Sequence, residues 1–230
     1  MNSEKKMKMT ISENLNKLKN ELPKNITLVA VSKTRPITDL MEAYNAGQRI
    51  FGENKVQEME SKWQEMPKDV EWHMIGHVQR NKVKYMAPFV SLIHAVDSLK
   101  LLKEINKEAR KNERVIQCLL QIKIAKEDSK FGMDEEDAVN LLSSEVYKNL
   151  KNIEVVGFMG MATFTEDEEQ ISKEFQKLKN IFDEFKTRSN DFGTELRVLS
   201  MGMSGDFRLA IDHGSNMVRI GSAIFGERNY

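Results

Sequence analysis

One lysine in this chain is placed unlike the others. Leu28-Val29-Ala30-Val31-Ser32-Lys33 begins as a short apolar run that reads as a buried β-strand, and Lys33 stands where that strand must stop. Most lysines are solvated surface groups. An amine at the mouth of a buried strand is partly desolvated, which lowers its pKa, and the neutral amine attacks carbonyl carbon to form a Schiff base. Far along the chain, Ser200-Met201-Gly202-Met203-Ser204-Gly205-Asp206 leaves a second apolar run for a short helix, and Arg219-Ile220-Gly221-Ser222 ends a third. Glycines let backbone approach an anion closely, and a helix start supplies free N–H groups. Ser204 adds a hydroxyl; Gly221 and Ser222 add two amides and a second hydroxyl. The combined chemistry is an amine that captures a carbonyl beside a cup that holds a phosphate.

Two ligand classes fit that description: a sugar phosphate in an aldolase-like enzyme, or pyridoxal 5′-phosphate (PLP). Arg219 favours PLP, whose pyridine nitrogen needs a partner. An arginine there does not accept the proton that an aspartate would hold, so the electron sink would be weak. Other residues carry less. His73 and His77 have the i, i+4 spacing of metal ligands, but on a strand, with no third ligand evident, so no metal site is expected. His94 and Asp97 flank the end of a strand, where packing explains them as well as function does. Lys123, Lys126 and Lys130 lie on or after the fifth apolar run, and a solvated loop accounts for them. Cys118, the only cysteine, sits inside an apolar run and reads as core; it forms no intrachain disulfide and fits a reducing compartment.

These groups need a frame. Eight apolar runs serve as strands: Ile26–Ser32, Arg49–Gly52, Val70–Gly76, Ser91–Val96, Val115–Ile124, Ile153–Met159, Leu196–Met201 and Met217–Ile220. Amphipathic stretches alternate with them. An opening helix spans about Lys6–Asn20, with Met7, Ile11, Leu15 and Leu18 on one face. Helices are also expected from Pro36 to Gly47, from Asn54 through Trp63, from Val78 to Tyr85, after Ser98, from Asp134 past Val146, across Ile171–Phe185, and from Ser204 to Ile211. Eight strand–helix units are the number that closes a (β/α)8 TIM barrel, whose functional residues gather at the C-terminal ends of the strands; an open doubly wound sheet is the alternative. No linker-like composition divides the chain, so residues 1–230 are read as one domain. The 35 basic and 35 acidic residues balance, which argues against a broad nucleic-acid-binding surface. No apolar run approaches the roughly 20 residues that span a bilayer, and no signal peptide is evident. A cytoplasmic protein that does not bind membranes is expected.

The motifs Ala30-Val31-Ser32-Lys33-Thr34, Phe51-Gly52-Glu53-Asn54 with Gln57-Glu58, Trp72-His73-Met74-Ile75-Gly76-His77-Val78-Gln79 with Asn81-Lys82, Leu199-Ser200-Met201-Gly202-Met203-Ser204 with Asp206, and Val218-Arg219-Ile220-Gly221 together resemble the YggS/PROSC family of PLP homeostasis proteins. The resemblance spans nearly the whole chain. Met74 and Val78 stand where the family often has Phe and Leu, both apolar replacements. The resemblance implies a single barrel of the alanine-racemase type, PLP fold type III, with the extra N-terminal helix. It implies PLP held as a Schiff base on Lys33, its phosphate on Ser204 and the amides around Met203, Gly221 and Ser222, its pyridine nitrogen at Arg219, and Asn54 beside the ring. The implied role is control of PLP supply to apo PLP-dependent enzymes, with no established catalysis. A PLP-dependent amino-acid racemase is the alternative. It would need a second acid/base opposite the lysine, and no tyrosine is placed by sequence to serve; the chain is expected to lack the β-domain that helps build racemase sites. A monomer is expected.

Overall fold

The computed structural model describes residues 9–126 and 131–227. Met7 of the opening helix and Lys130 lie outside them. Eight parallel strands close on themselves in sequence order: β1 (Thr27–Val31), β2 (Ile50–Glu53), β3 (Glu71–Met74), β4 (Val90–Val96), β5 (Ile116–Gln121), β6 (Ile153–Met159), β7 (Val198–Ser200) and β8 (Met217–Ile220). The ring is sealed by β1 against β8, with Thr27 opposite Met217 and Ala30 opposite Ile220. The expected barrel is therefore present and the open sheet is not.

Helices alternate with the strands: α1 (Ile11–Glu21), α2 (Ile37–Asn45), α3 (Val56–Glu65), α4 (Val83–Met86), α5 (Leu99–Lys111), α6 (Glu135–Ser143), α7 (Glu145–Lys148), α8 (Glu168–Thr187), α9 (Ser189–Phe192), α10 (Phe207–Asp212) and α11 (Ser222–Phe225). Their starts follow local chemistry. Thr10 accepts from the Glu13 amide while the Glu13 carboxylate accepts from the Thr10 amide, a reciprocal cap on the extra N-terminal helix α1. Ser98 and Asp134 cap α5 and α6 as their residue types predict. On α8, Ile171, Phe175, Leu178, Phe182 and Phe185 are all buried, one stripe of a long amphipathic helix laid on the sheet.

The apolar interior has two parts. The larger lies between the strands and the helical ring. The smaller fills the barrel itself, from Val29, Leu92, Ala95, Leu119, Val156, Met159 and Met217. Gly157 sets the spacing of β6 and β7: a Cβ there would lie 1.8 Å from the Val198 carbonyl oxygen, so no other residue fits without moving a strand.

Several boundaries differ from the sequence reading, four of them for a visible local reason. The fifth strand stops at Gln121, because the Gln121 carbonyl and the Lys123 amide bond to Met133, which returns alongside; at its other end Val115 is exposed. The stretch expected as one helix from Val78 crosses the rim in extended form, makes a 3-10 turn at Arg80–Lys82, and only then enters α4. The helix from Asp134 is broken at Ser144, whose hydroxyl caps α7. The helix after β7 begins at Phe207, not Ser204, since residues 204–206 form a turn whose Asp206 and Phe207 amides both donate to the Met203 carbonyl. No helix of the described residues is long and apolar enough to cross a membrane.

Candidate functional site

The C-terminal rim collects the residues singled out from sequence. Lys33 follows β1 in a turn and is half-buried. Gly221 follows β8 beside the end of β1, where a Cβ on it would lie 3.2 Å from the Val31 carbonyl oxygen. Ser204 comes over from the β7 loop, and its hydroxyl accepts a hydrogen bond from the Gly221 amide at 3.2 Å. The loop's path requires Gly202: its φ is +96°, and a Cβ would meet the Ala210 Cβ at 2.7 Å. The Met203 amide donates to Asp206 Oδ1, so an oxyanion already lies on one of the loop's donors. Ser222 is exposed at the first turn of α11. Asn54 follows β2, with its backbone against Gly76. The structure thus brings Lys33, Met203, Ser204, Arg219, Gly221 and Ser222 together on the β7–β8–β1 side, with Asn54 one strand further round.

Arg219 points into the barrel and is buried. Its Nη1 donates to the Ser200 carbonyl (3.0 Å) and hydroxyl (2.6 Å), and its Nη2 to the Gly160 carbonyl (3.0 Å). Burial lowers its pKa to about 10, offset in part by the Asp206 charge, so the guanidinium remains charged at neutral pH. Beyond Ser200 the polar path continues: Ser200 Oγ lies 3.3 Å from His94 Nδ1, and His94 Nε2 lies 3.1 Å from His73 Nδ1. Both imidazoles are buried. Desolvation holds His73 down at about 3; it holds His94 well below its usual value, helped by His73 and the Arg219 charge. Two neutral rings must therefore share one hydrogen, and the network assigns it. Arginine only donates, so Ser200 Oγ accepts from Arg219 and has His94 Nδ1 as the acceptor for its own hydrogen. His94 is then the Nε2–H tautomer and donates to His73 Nδ1.

A second buried polar group lies beneath Lys33. Glu53, at the end of β2, accepts from the Ser32 hydroxyl at 2.6 Å and from Lys62 Nζ at 2.7 Å. Lys62 also donates to Glu58 Oε1 (2.7 Å) and to the Ser32 carbonyl (2.8 Å). Burial raises the Glu53 pKa against the pull of Lys62. Thr34 adopts φ +64°, a conformation that costs a β-branched residue about 1–3 kcal/mol, and its amide donates to Glu58 Oε1.

Some expected features are dispersed. His73 turns inward to His94, whereas His77 reaches Asp97 (3.4 Å) and stacks on Phe131, so the metal-like pair does not converge. His94, which the sequence left equally open to packing and to function, belongs to the Arg219 path. Cys118 is buried, and burial pushes its thiol far up. Lys123 is half-buried and Lys126 exposed. Sequence reasoning passed over Lys62, although a lysine among Val56, Met59 and Met66 on the inward face of a helix is a readable signal.

The chain belongs to the family defined by the alanine racemase N-terminal domain, whose profile matches residues 8–229. Among its relatives is the pyridoxal phosphate homeostasis protein of Aquifex aeolicus, 40% identical over 204 residues, which are 88% of this chain and 87% of that one. PipY of Synechococcus elongatus, solved with PLP bound, matches with a TM-score of 0.84 at 33% identity, over 94% of this chain and 100% of that one. An alanine racemase of Clostridium difficile matches with a TM-score of 0.77 at 17% identity, over 96% of this chain and 57% of that one; it shares the barrel.

Proposed function

We propose that this chain is a pyridoxal 5′-phosphate homeostasis protein that holds PLP as a Schiff base on Lys33 and supplies or buffers it for apo PLP-dependent enzymes. The observation that carries the reading is the meeting of Lys33, the Ser204–Gly221 pair and the buried Arg219 on three adjacent strand ends. The residues fit the group. Arg219 has five N–H donors, of which three are engaged by Ser200 and Gly160, leaving donors for a ring nitrogen that stays unprotonated. Ser204, Gly221, Ser222 and the backbone at Met203, whose amide would exchange its Asp206 partner for the phosphate, form the phosphate side, and Asn54 flanks the ring. When bound, PLP supplies an aldehyde that reacts reversibly with amines. The chain's residues supply the amine, offer hydroxyls and amides to the phosphate and hold the ring nitrogen. The names and the PLP complex of the relatives support the same reading.

Racemase-like turnover is disfavoured by the placement of tyrosine. Among the described residues Tyr44, Tyr85 and Tyr147 all sit near helix ends that feed the N-terminal ends of strands, the side of the barrel away from Lys33. We further propose one domain over residues 1–230, a monomer, and a cytoplasmic location. The test is transfer: the purified, PLP-loaded protein restores activity to an apo PLP enzyme and exchanges no amino-acid α-proton in deuterated water. Rapid exchange, or no transfer, overturns the proposal.

The phosphate side has its own test. Ser204→Ala removes a hydrogen bond to a charged group and strips the Gly221 amide of its acceptor, which costs about 1.5–3 kcal/mol, or roughly ten- to a hundredfold in PLP retention. Asp97→Ala, on the β4 end, leaves retention near the parent value. Equal retention in the two variants, measured by gel filtration of the loaded proteins, counts against the cup.

A further inference from the structure

The two peptide groups that flank Lys33 are held by one ion cluster. The Ser32 carbonyl, which belongs to the Ser32–Lys33 peptide, accepts from Lys62 Nζ at 2.8 Å. The Thr34 amide, which belongs to the Lys33–Thr34 peptide, donates to Glu58 Oε1. The same Glu58 oxygen accepts from Lys62 at 2.7 Å, and Lys62 is anchored by Glu53, which also takes the Ser32 hydroxyl. Lys62 and Glu53 are buried, with side chains 7% and 0% exposed, and Glu58 closes the cluster at 23%. A buried ion group is weak support for stability, because desolvation offsets most of the attraction. What such a group does well is fix geometry. Here it grips the backbone on both sides of one residue, within a turn that the Arg35 amide closes on the same Ser32 carbonyl at 3.0 Å and in which Thr34 adopts φ +64°.

We propose that Glu58, Lys62 and Glu53 are positioning residues for Lys33: they clamp its two peptide groups so that the amine is presented to the aldehyde of PLP in a reactive orientation. The proposal rests on the assignment of Lys33 as the PLP-holding residue and adds to it the device that aims the amine. In the step concerned, the neutral Lys33 nitrogen forms a bond to the aldehyde carbon, and the aldehyde oxygen leaves as water with the two amine hydrogens. The cluster takes no part in the bond changes.

Glu58 is the residue to test, since it is the most exposed member and its loss leaves Lys62 paired with Glu53; Lys62→Met would strand a buried carboxylate and threaten folding. Glu58→Gln keeps an oxygen for the Thr34 amide, whereas Glu58→Ala does not. Two quantities are measured on parent and variants: hydrogen exchange of the Thr34 amide in the PLP-free protein, and the rate at which added PLP develops the Lys33-dependent visible band. Glu58→Ala is expected to speed Thr34 exchange and slow PLP capture, each by about tenfold or more, with Glu58→Gln closer to the parent. Unfolding midpoints of the PLP-free proteins confirm that both variants are folded. Unchanged Thr34 exchange in Glu58→Ala overturns the clamp, and so does fast exchange with parent-like capture. Failure of the underlying assignment shows elsewhere, in a parent protein whose band is absent or survives Lys33→Ala.

Discussion

Replacing Lys33 with alanine should abolish the visible absorbance of the PLP-loaded protein and reduce borohydride-fixed cofactor to background. The chain is rich in lysine, so the result is informative only if one lysine is special. Lys33 is set apart by position. It leaves β1 at the rim, it is half-buried, and the strand it follows ends beside Gly221, which is bonded to Ser204. Lys126, exposed after β5, provides the comparison: Lys126→Ala should keep the band. Lys62 is buried, but its amine is already committed to two carboxylates and a carbonyl. Because Lys33 lies in a turn, its truncation should leave stability within about 1 kcal/mol of the parent, so loss of the band would report chemistry and not unfolding. On the proposed site PLP would still meet Ser204, Gly221 and Arg219 in the variant, so weak binding that borohydride does not fix is the expected remainder. A band that persists in Lys33→Ala would end the assignment.

The second large effect is acid lability. The folded protein keeps His73 and His94 neutral: burial holds His73 at about 3 and His94 well below its normal value. The unfolded chain protonates both near 6.5. Below that pH the unfolded state binds more protons, so stability falls as pH falls. The slope is about 1.4 kcal/mol per pH unit for each imidazole that stays neutral, so His73 alone removes about 2 kcal/mol by pH 5. His94 adds in the same direction. Glu53 opposes them, because its raised pKa lets the folded state take up a proton before the unfolded chain does as the pH falls. Against a total stability of about 5–15 kcal/mol, the imidazoles alone are a large loss. Urea unfolding at pH 7.5 and 5.0 measures it; coincident midpoints would show that the buried pair titrates normally.

The barrel was legible because its signals are local. Apolar runs such as Val29–Val31 and Ile153–Met159 fall at barrel strands, and Ser98 and Asp134 announce helix starts by residue type alone. The rim residues could be read for the same reason: in a parallel barrel, whatever follows a strand lies at one end, so Lys33, Ser204 and Arg219 needed only their strands to be found. What escaped was set by contacts distant in sequence. The end of β5 depends on Met133, twelve residues on. The late start of α10 depends on a turn closed by the Met203 carbonyl. His94 and Ser200 are 106 residues apart, and no pattern within either strand states that they meet.

The path from Arg219 through Ser200 and His94 to His73 has one direction, since a donor-only group stands at its head. Ser200 and His94, between its two ends, must each receive on one side and give on the other. The four positions therefore behave as a sentence with fixed word order. A residue that cannot both accept and donate, placed at Ser200 or His94, silences everything downstream of it, and the tolerated replacements are those that arrive in matched sets. The barrel's interior, so often a place where any apolar residue of the right volume will do, is here a place where substitutions must be negotiated across four strands and more than a hundred residues of chain.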